Sequence, residues 1–139
     1  RLRPKFFPGA EQSHRLEHAV LGAGKVLSRE TLLLAEEGGA REIPGRARLQ
    51  VTPDGRLFVL CYVSGKDAEG RSISENRLLE LTREPASRRW TRIPLRRPFG
   101  EFMTATVRAG SAPSFEVDLL GTQVGASGTI AYARVRLPK

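Results

Sequence analysis

Short runs of alternating apolar and polar residues, each closed by glycine or proline, constrain this chain more than any other feature. Residues 50–65, QVTPDGRLFVLCYVSG, show the pattern: strand, tight turn, strand, glycine. In the turn, Pro53 sets φ at the first corner, Asp54 can bond its own backbone, and Gly55 supplies a positive φ. The strand before it, 46–52, places Ala47, Leu49 and Val51 on one face. The strand after it, 56–63, is apolar at successive positions and reads as buried on both faces. Further strand patterns occupy 14–21, 26–35, 75–82, 89–95, 103–109, 114–122 and 128–137. Segment 26–35 also holds good helix formers and a serine able to cap a helix. Closely bracketing glycines and the lack of a 3.6-residue face favour the strand. Fourteen Gly and nine Pro in 139 residues fit many short strands joined by turns. The expected fold class is therefore all-β.

The spacing of equivalent strands refines this expectation. His14 to Asn76 is 62 positions and Asn76 to Thr129 is 53. A spacing of roughly 40 to 60 residues, with four short strands per unit, is the sequence mark of β-propeller blades, which are four-stranded antiparallel sheets. On this reading 1–13 is an irregular lead-in and 14–139 forms about two blades. Residues 14–45 give the outer strands of one blade, 46–95 a complete blade, and 96–139 three strands of another. Closed propellers use four to eight blades, and open sheet edges invite pairing. The chain is thus expected to be part of a longer propeller, or to close a ring with an additional propeller chain or with its own copies. The start RLRPKFFPGAEQSH, with neither initiator Met nor apolar signal region, reads as a processed product or fragment. The alternative fold is a nine-stranded β-sandwich, which needs no partner.

Several of these segments resemble sialidase-like propellers with BNR repeats. TIAYARVRL (129–137) is similar to the third strand of such repeats, HRLEHAVLGAGKVLS (14–28) has the same placing, and LTREPASRRWTRI (81–93) puts Trp90 after the hairpin. The family's Ser-x-Asp-x-Gly-x-x-Trp box occurs in no hairpin; Thr82 and Trp90 echo its ends with one residue too many between them. The resemblance implies a glycan ligand, an arginine cluster for an acidic sugar, and a secreted or periplasmic location. Tyr132 falls in the structural Tyr-Ala-Arg motif, so no nucleophile role carries over to it.

Chemistry is harder to locate. The net charge is +8, with arginine supplying most of the 23 basic residues, which favours acidic partners. In a propeller the ligand face is built by loops and innermost strands. On this map they carry Arg41, Glu42, Arg46 and Arg48 in one group, and Arg96, Arg97, Glu101 and Arg108 in the next. Guanidinium forks bind carboxylates and sulfates bidentately, so Arg46, Arg48, Arg96, Arg97 and Arg108 are the candidate ligand-binding residues. The competing reading is that they keep sheet edges charged. Glu116 and Asp118 are weak catalytic candidates: one strand carries both on one face, about 7 Å apart by strand rise, within the inverting range for glycosidases. No catalytic residue is assignable by motif, and neither a nucleophile elbow nor a phosphate loop is present.

His14 and His18 would lie about 13 Å apart on a strand, so they read as surface histidines, and no metal site or cofactor is expected. Cys61 lies in LFVLCYV and reads as a buried apolar residue. Stacking aromatics are sparse, which disfavours nucleic acid as a partner, and no run of 18 apolar residues could span a membrane. The favoured function is recognition of an acidic saccharide. The alternatives are a fragment of a sialidase-like glycoside hydrolase and a protein-binding scaffold propeller.

Overall fold

The computed structural model of the chain describes residues 13–36, 41–105, 112–126 and 128–139. Among them lie nine strands: β1 (Ser13–Gly22), β2 (Lys25–Glu36), β3 (Arg41–Val51), β4 (Leu57–Lys66), β5 (Ser72–Glu80), β6 (Thr91–Arg92), β7 (Phe99–Thr104), β8 (Glu116–Gln123) and β9 (Ile130–Arg136). They form three antiparallel sheets in the orders β1-β2, β3-β4-β5-β6 and β7-β8-β9. One 3-10 turn, Pro85–Ser87, is the only helical element among the described residues. The all-β expectation holds, and segment 26–35 is strand, not helix. The expected lead-in lies outside the described residues up to 12, and Ser13 already belongs to β1.

Two compact units divide the chain, one of residues 1–44 and 64–73, the other of 45–63 and 74–139. In the first, β1 and β2 form a hairpin whose two-residue turn puts both Ala23 and Gly24 at positive φ, at 48° and 74°. That is the twist-matched geometry that two-residue hairpins prefer. Val20, Leu21, Val26, Leu27 and Leu34 of this hairpin are exposed.

The β3-β4 and β4-β5 hairpin tips share one construction. In TPDGR (52–56), Gly55 at φ 80° donates its N–H to Thr52 O, and Thr52 N–H bonds Arg56 O. In DAEGR (67–71), Gly70 at φ 78° donates to Asp67 O, and Asp67 N–H bonds Arg71 O. Each is a type I turn closed by a glycine bulge, and in each the final arginine returns to an acid of its own turn. Asp54 accepts chiefly from the Thr52 hydroxyl and Arg56 Nε, with a smaller contribution from the Arg56 backbone N–H.

The core of the second unit lies between the four-stranded and three-stranded sheets. Phe58 and Leu60 of β4, Leu78 of β5 and Ile93 meet Phe99 and Phe102 of β7, Val117 and Leu119 of β8, Val135 of β9 and Leu137. Strand β4 is buried on both faces as its composition demands, since Val59, Cys61 and Val63 are buried opposite Phe58 and Leu60. Burial pushes the Cys61 thiol up to about 11, so it packs as an apolar group and not as a nucleophile. Within β7-β8-β9, Gly121 is obligatory. A Cβ there would stand 2.0 Å from Glu101 O, where β7 bulges against β8.

One buried polar side chain links the two sheets. Asn76, on β5 and 2% exposed, donates Nδ2 to Phe99 O at 3.0 Å and accepts from Phe99 N–H at 2.7 Å. Its own carbonyl accepts from Ile93 N–H at 2.8 Å. That last bond anchors the chain just past β6, which is far shorter than the expected 89–95. Pro94 has no N–H to extend the ladder, and Leu95 N–H turns back to Ile93 O. Strand β7 begins at Phe99, four residues before the expected start, because Phe99 and Phe102 are the core residues of that run.

Substituting Asn76→Leu removes both partners of a buried peptide group. At about 1–3 kcal/mol for each of the two orphaned groups, we expect a loss of about 2–6 kcal/mol. The shift of the urea midpoint measures it, and a cost under about 1 kcal/mol would refute the clasp as a structural link. Cys61 should resist a thiol-specific disulfide reagent in the folded chain and react at once in denaturant; rapid labelling of native protein would contradict its burial.

Candidate functional site

Strand alternation puts Val117, Leu119 and Val135 into the core, so their neighbours on β8 and β9 face outward. Register places Asp118 opposite Arg134, Glu116 opposite Arg136 and Leu120 opposite Tyr132. The outward face therefore carries a ladder of opposite charges. Arg134 Nε donates to Asp118 Oδ1 at 2.8 Å, and its Nη2 reaches Oδ2 at 3.4 Å. The Tyr132 hydroxyl donates to the same Oδ1 at 2.6 Å. Glu116 receives Arg136 at 3.3 Å and lies 3.7 Å from Arg134. Beyond this ladder Met103, Leu120, Ile130 and Tyr132 are exposed.

The ladder decides what the two carboxylates can do. Hydrogen bonds from Arg134 and then Tyr132 hold the Asp118 carboxyl below its ordinary value. The same contact raises Tyr132 and Arg134 above theirs. A carboxylate so stabilised is ionised at neutral pH and cannot serve as the proton donor to a leaving group, which requires a raised pKa.

One end of the ladder borders a cleft of about 160 Å³ lined by Gln50, Ala105, Ala112, Ser114, Glu116, Asp118 and Arg134. Gln50 reaches it because β3 presents the face opposite to that expected. Leu49 is 48% exposed, whereas Gln50 is 5% exposed and Thr52 is buried. The alternation of Ala47, Leu49 and Val51 marks the strand but not its inner side. Thr52 satisfies its hydroxyl within the TPDGR turn. Gln50 is satisfied only in part: Nε2 donates to Val51 O at 3.1 Å, while Oε1 is buried without a partner among the described residues. A second cleft, of about 220 Å³, lies under the 82–91 loop between Phe58, Leu78, Glu80 and Pro138. Its Arg89 is spent on the carbonyls of Ala86 and Arg88.

The five arginines singled out in the sequence meet different fates. Arg46 makes a two-pronged ion pair with Glu101, with Nε to Oε2 at 2.7 Å. Arg48 is half-buried and donates Nη1 to Ala47 O at 2.9 Å. Arg96 and Arg97 sit side by side on the exposed bend before β7, and neither side chain has a hydrogen bond or ion pair among the described residues. Only the backbone of Arg97 is engaged, its carbonyl accepting from Gln123 Nε2 at 3.3 Å. Arg108 lies outside the described residues. His18 Nδ1 lies 3.0 Å from Glu30 Oε1 across the β1-β2 hairpin, and no metal-binding group of three or more His, Cys, Asp or Glu occurs among the described residues.

No protein-family model, curated protein or solved structure matches this chain.

The Asp118 ladder carries a pH signature. Its folded pKa is below the unfolded value of 3.8, so its stabilisation is present above that value and lost as pH falls through the folded one. Asp118→Asn should lower the melting temperature at pH 7, and the difference should vanish toward the acid limit. An equal difference at all pH values would rule out the charge ladder as its source.

Proposed function

We propose that this chain is a glycan-recognising module built of sialidase-like propeller blades, and that its ligand is an acidic saccharide held at Arg96 and Arg97. The observation that carries this reading is the contrast among the arginines. Arg46, Arg56, Arg71, Arg134 and Arg136 are all bound to carboxylates. Arg96 and Arg97 are adjacent, exposed and unpartnered among the described residues. In a chain of net charge +8 they are donors free to take a carboxylate or sulfate without first breaking an internal pair. The meander β3-β4-β5-β6 has the strand number of a blade, which supports the propeller reading. In the hydrolase alternative Asp118, ionised and arginine-bound, could not be the proton donor.

Association is a second reading, favoured by one observation. The β1-β2 hairpin exposes five large apolar side chains, and a two-stranded sheet is marginal in water unless something packs on it. Further blades, from another propeller chain or from a second copy, would cover it.

Retention on immobilised heparin or pectin tests the saccharide reading. The double variant Arg96→Ala/Arg97→Ala should bind about tenfold more weakly, at about 0.2–1 kcal/mol for each exposed guanidinium. Arg46→Ala/Arg136→Ala removes the same charge and should weaken retention far less. Equal losses in the two would reduce the effect to net charge and defeat the proposal. Light scattering at several concentrations tests association, and a mass of 15.3 kDa throughout would exclude it for this chain alone.

A further inference from the structure

We infer that the cleft beside the β8-β9 ladder is a binding site for a primary ammonium group, with the side-chain oxygen of Gln50 as one of its acceptors. This goes beyond the saccharide reading, because none of its residues is used there and the ligand charge is opposite.

The first argument is the state of Gln50. It is 5% exposed, lines the cleft, and leaves Oε1 buried with no hydrogen-bond partner among the described residues. Native chains pair nearly all such atoms, and an orphaned one costs free energy that nothing in the fold recovers. A donor supplied from outside would satisfy it. The second argument is the balance of the lining. Glu116 and Asp118 place two carboxylates in the lining against the single guanidinium of Arg134, while Arg136 pairs with Glu116 Oε1 from outside it.

Arg134 already directs its nitrogens at those carboxylates. Only Asp118 Oδ1 is saturated, by Tyr132 and Arg134. Asp118 Oδ2 has a single long contact at 3.4 Å, and Glu116 Oε2 has only a distant one at 3.7 Å. Ser114 Oγ accepts from Glu116 N–H at 2.9 Å. Acceptors thus outnumber the free donors of the lining, since Arg134 is committed to the carboxylates while the Ser114 O–H keeps one donor. An anion would meet two carboxylates, and a hydroxyl offers one donor to several acceptors. An ammonium offers three donors and the complementary charge. At about 160 Å³ the cleft is smaller than the roughly 300–1,000 Å³ typical of whole-ligand pockets, so it suits a head group on a longer molecule.

The experiment is a heteronuclear NMR titration of the full chain with butylammonium and, separately, with butanol at pH 7. Butylammonium should move the amide signals of Gln50, Ser114, Glu116, Asp118 and Arg134 saturably, and butanol should not. Gln50→Met keeps the length of the side chain and deletes the acceptor. It should weaken butylammonium binding about tenfold while leaving the melting temperature equal or higher, since a buried unpaired oxygen is removed. Asp118→Asn provides an independent variant at a more exposed position, and it too should weaken binding. Equal response to butanol, no localised response to butylammonium, or unchanged affinity in both variants would overturn the inference.

Discussion

Everything in the second compact unit depends on a peptide group that its own strand cannot satisfy. Phe99 opens β7 with its side chain wholly buried, so its N–H and C=O are withdrawn from water as well. The Asn76 amide meets both in the manner of a neighbouring strand, and its backbone carbonyl holds Ile93 as the chain leaves the four-stranded sheet. An apolar residue at position 76 would add to the core but strand two polar groups. Two sheets packed by non-directional apolar contact can slide over one another. A two-point hydrogen bond between them fixes their register at little cost, provided that every polar atom involved is paired.

Much of this fold was legible from period alone, and the limits of period explain the misses. Alternation located β1, β2, β4, β8 and β9 closely, because both flanks of each carry turn residues of known mechanism. It could not identify the inner side of β3, because Ala47, Leu49 and Val51 form the more apolar face and yet Leu49 is turned to solvent. Nor could it foresee the shortening of β6, where Pro94 and the bond from Leu95 to Ile93 act after the pattern has ended. The role of Asn76 was hidden for another reason. A single polar residue in a strand reads as solvent-facing unless its partner, here 23 residues away, is known.

The candidate site was legible in its residue types but not in its partnerships. Arginine abundance pointed to five positions, and only geometry separates those whose charge is consumed from those whose charge is available. Arg46 is consumed by Glu101, which the sequence placed on the same ligand face in the next group. Cross-strand register did the same to the carboxylates. Asp118 and Glu116 share a face, as expected, but β9 brings an arginine opposite each, and the resulting ladder is an ordinary device of sheet stability.

Where local rules are broken without an internal gain, function is the more economical cause. Strand β3 turns Gln50 inward and Leu49 outward, against the preference of both side chains. Exchanging their exposure would bury more apolar area and free an amide to water. Thr52 shows that a polar inner face is not in itself costly, since its hydroxyl is fully used by the turn. Gln50 Oε1 has no such outlet among the described residues, so at position 50 the inversion has no internal gain. A strand that holds an unpaired acceptor beside two carboxylates, where a neighbouring polar residue is fully used, is arranged for something that binds there.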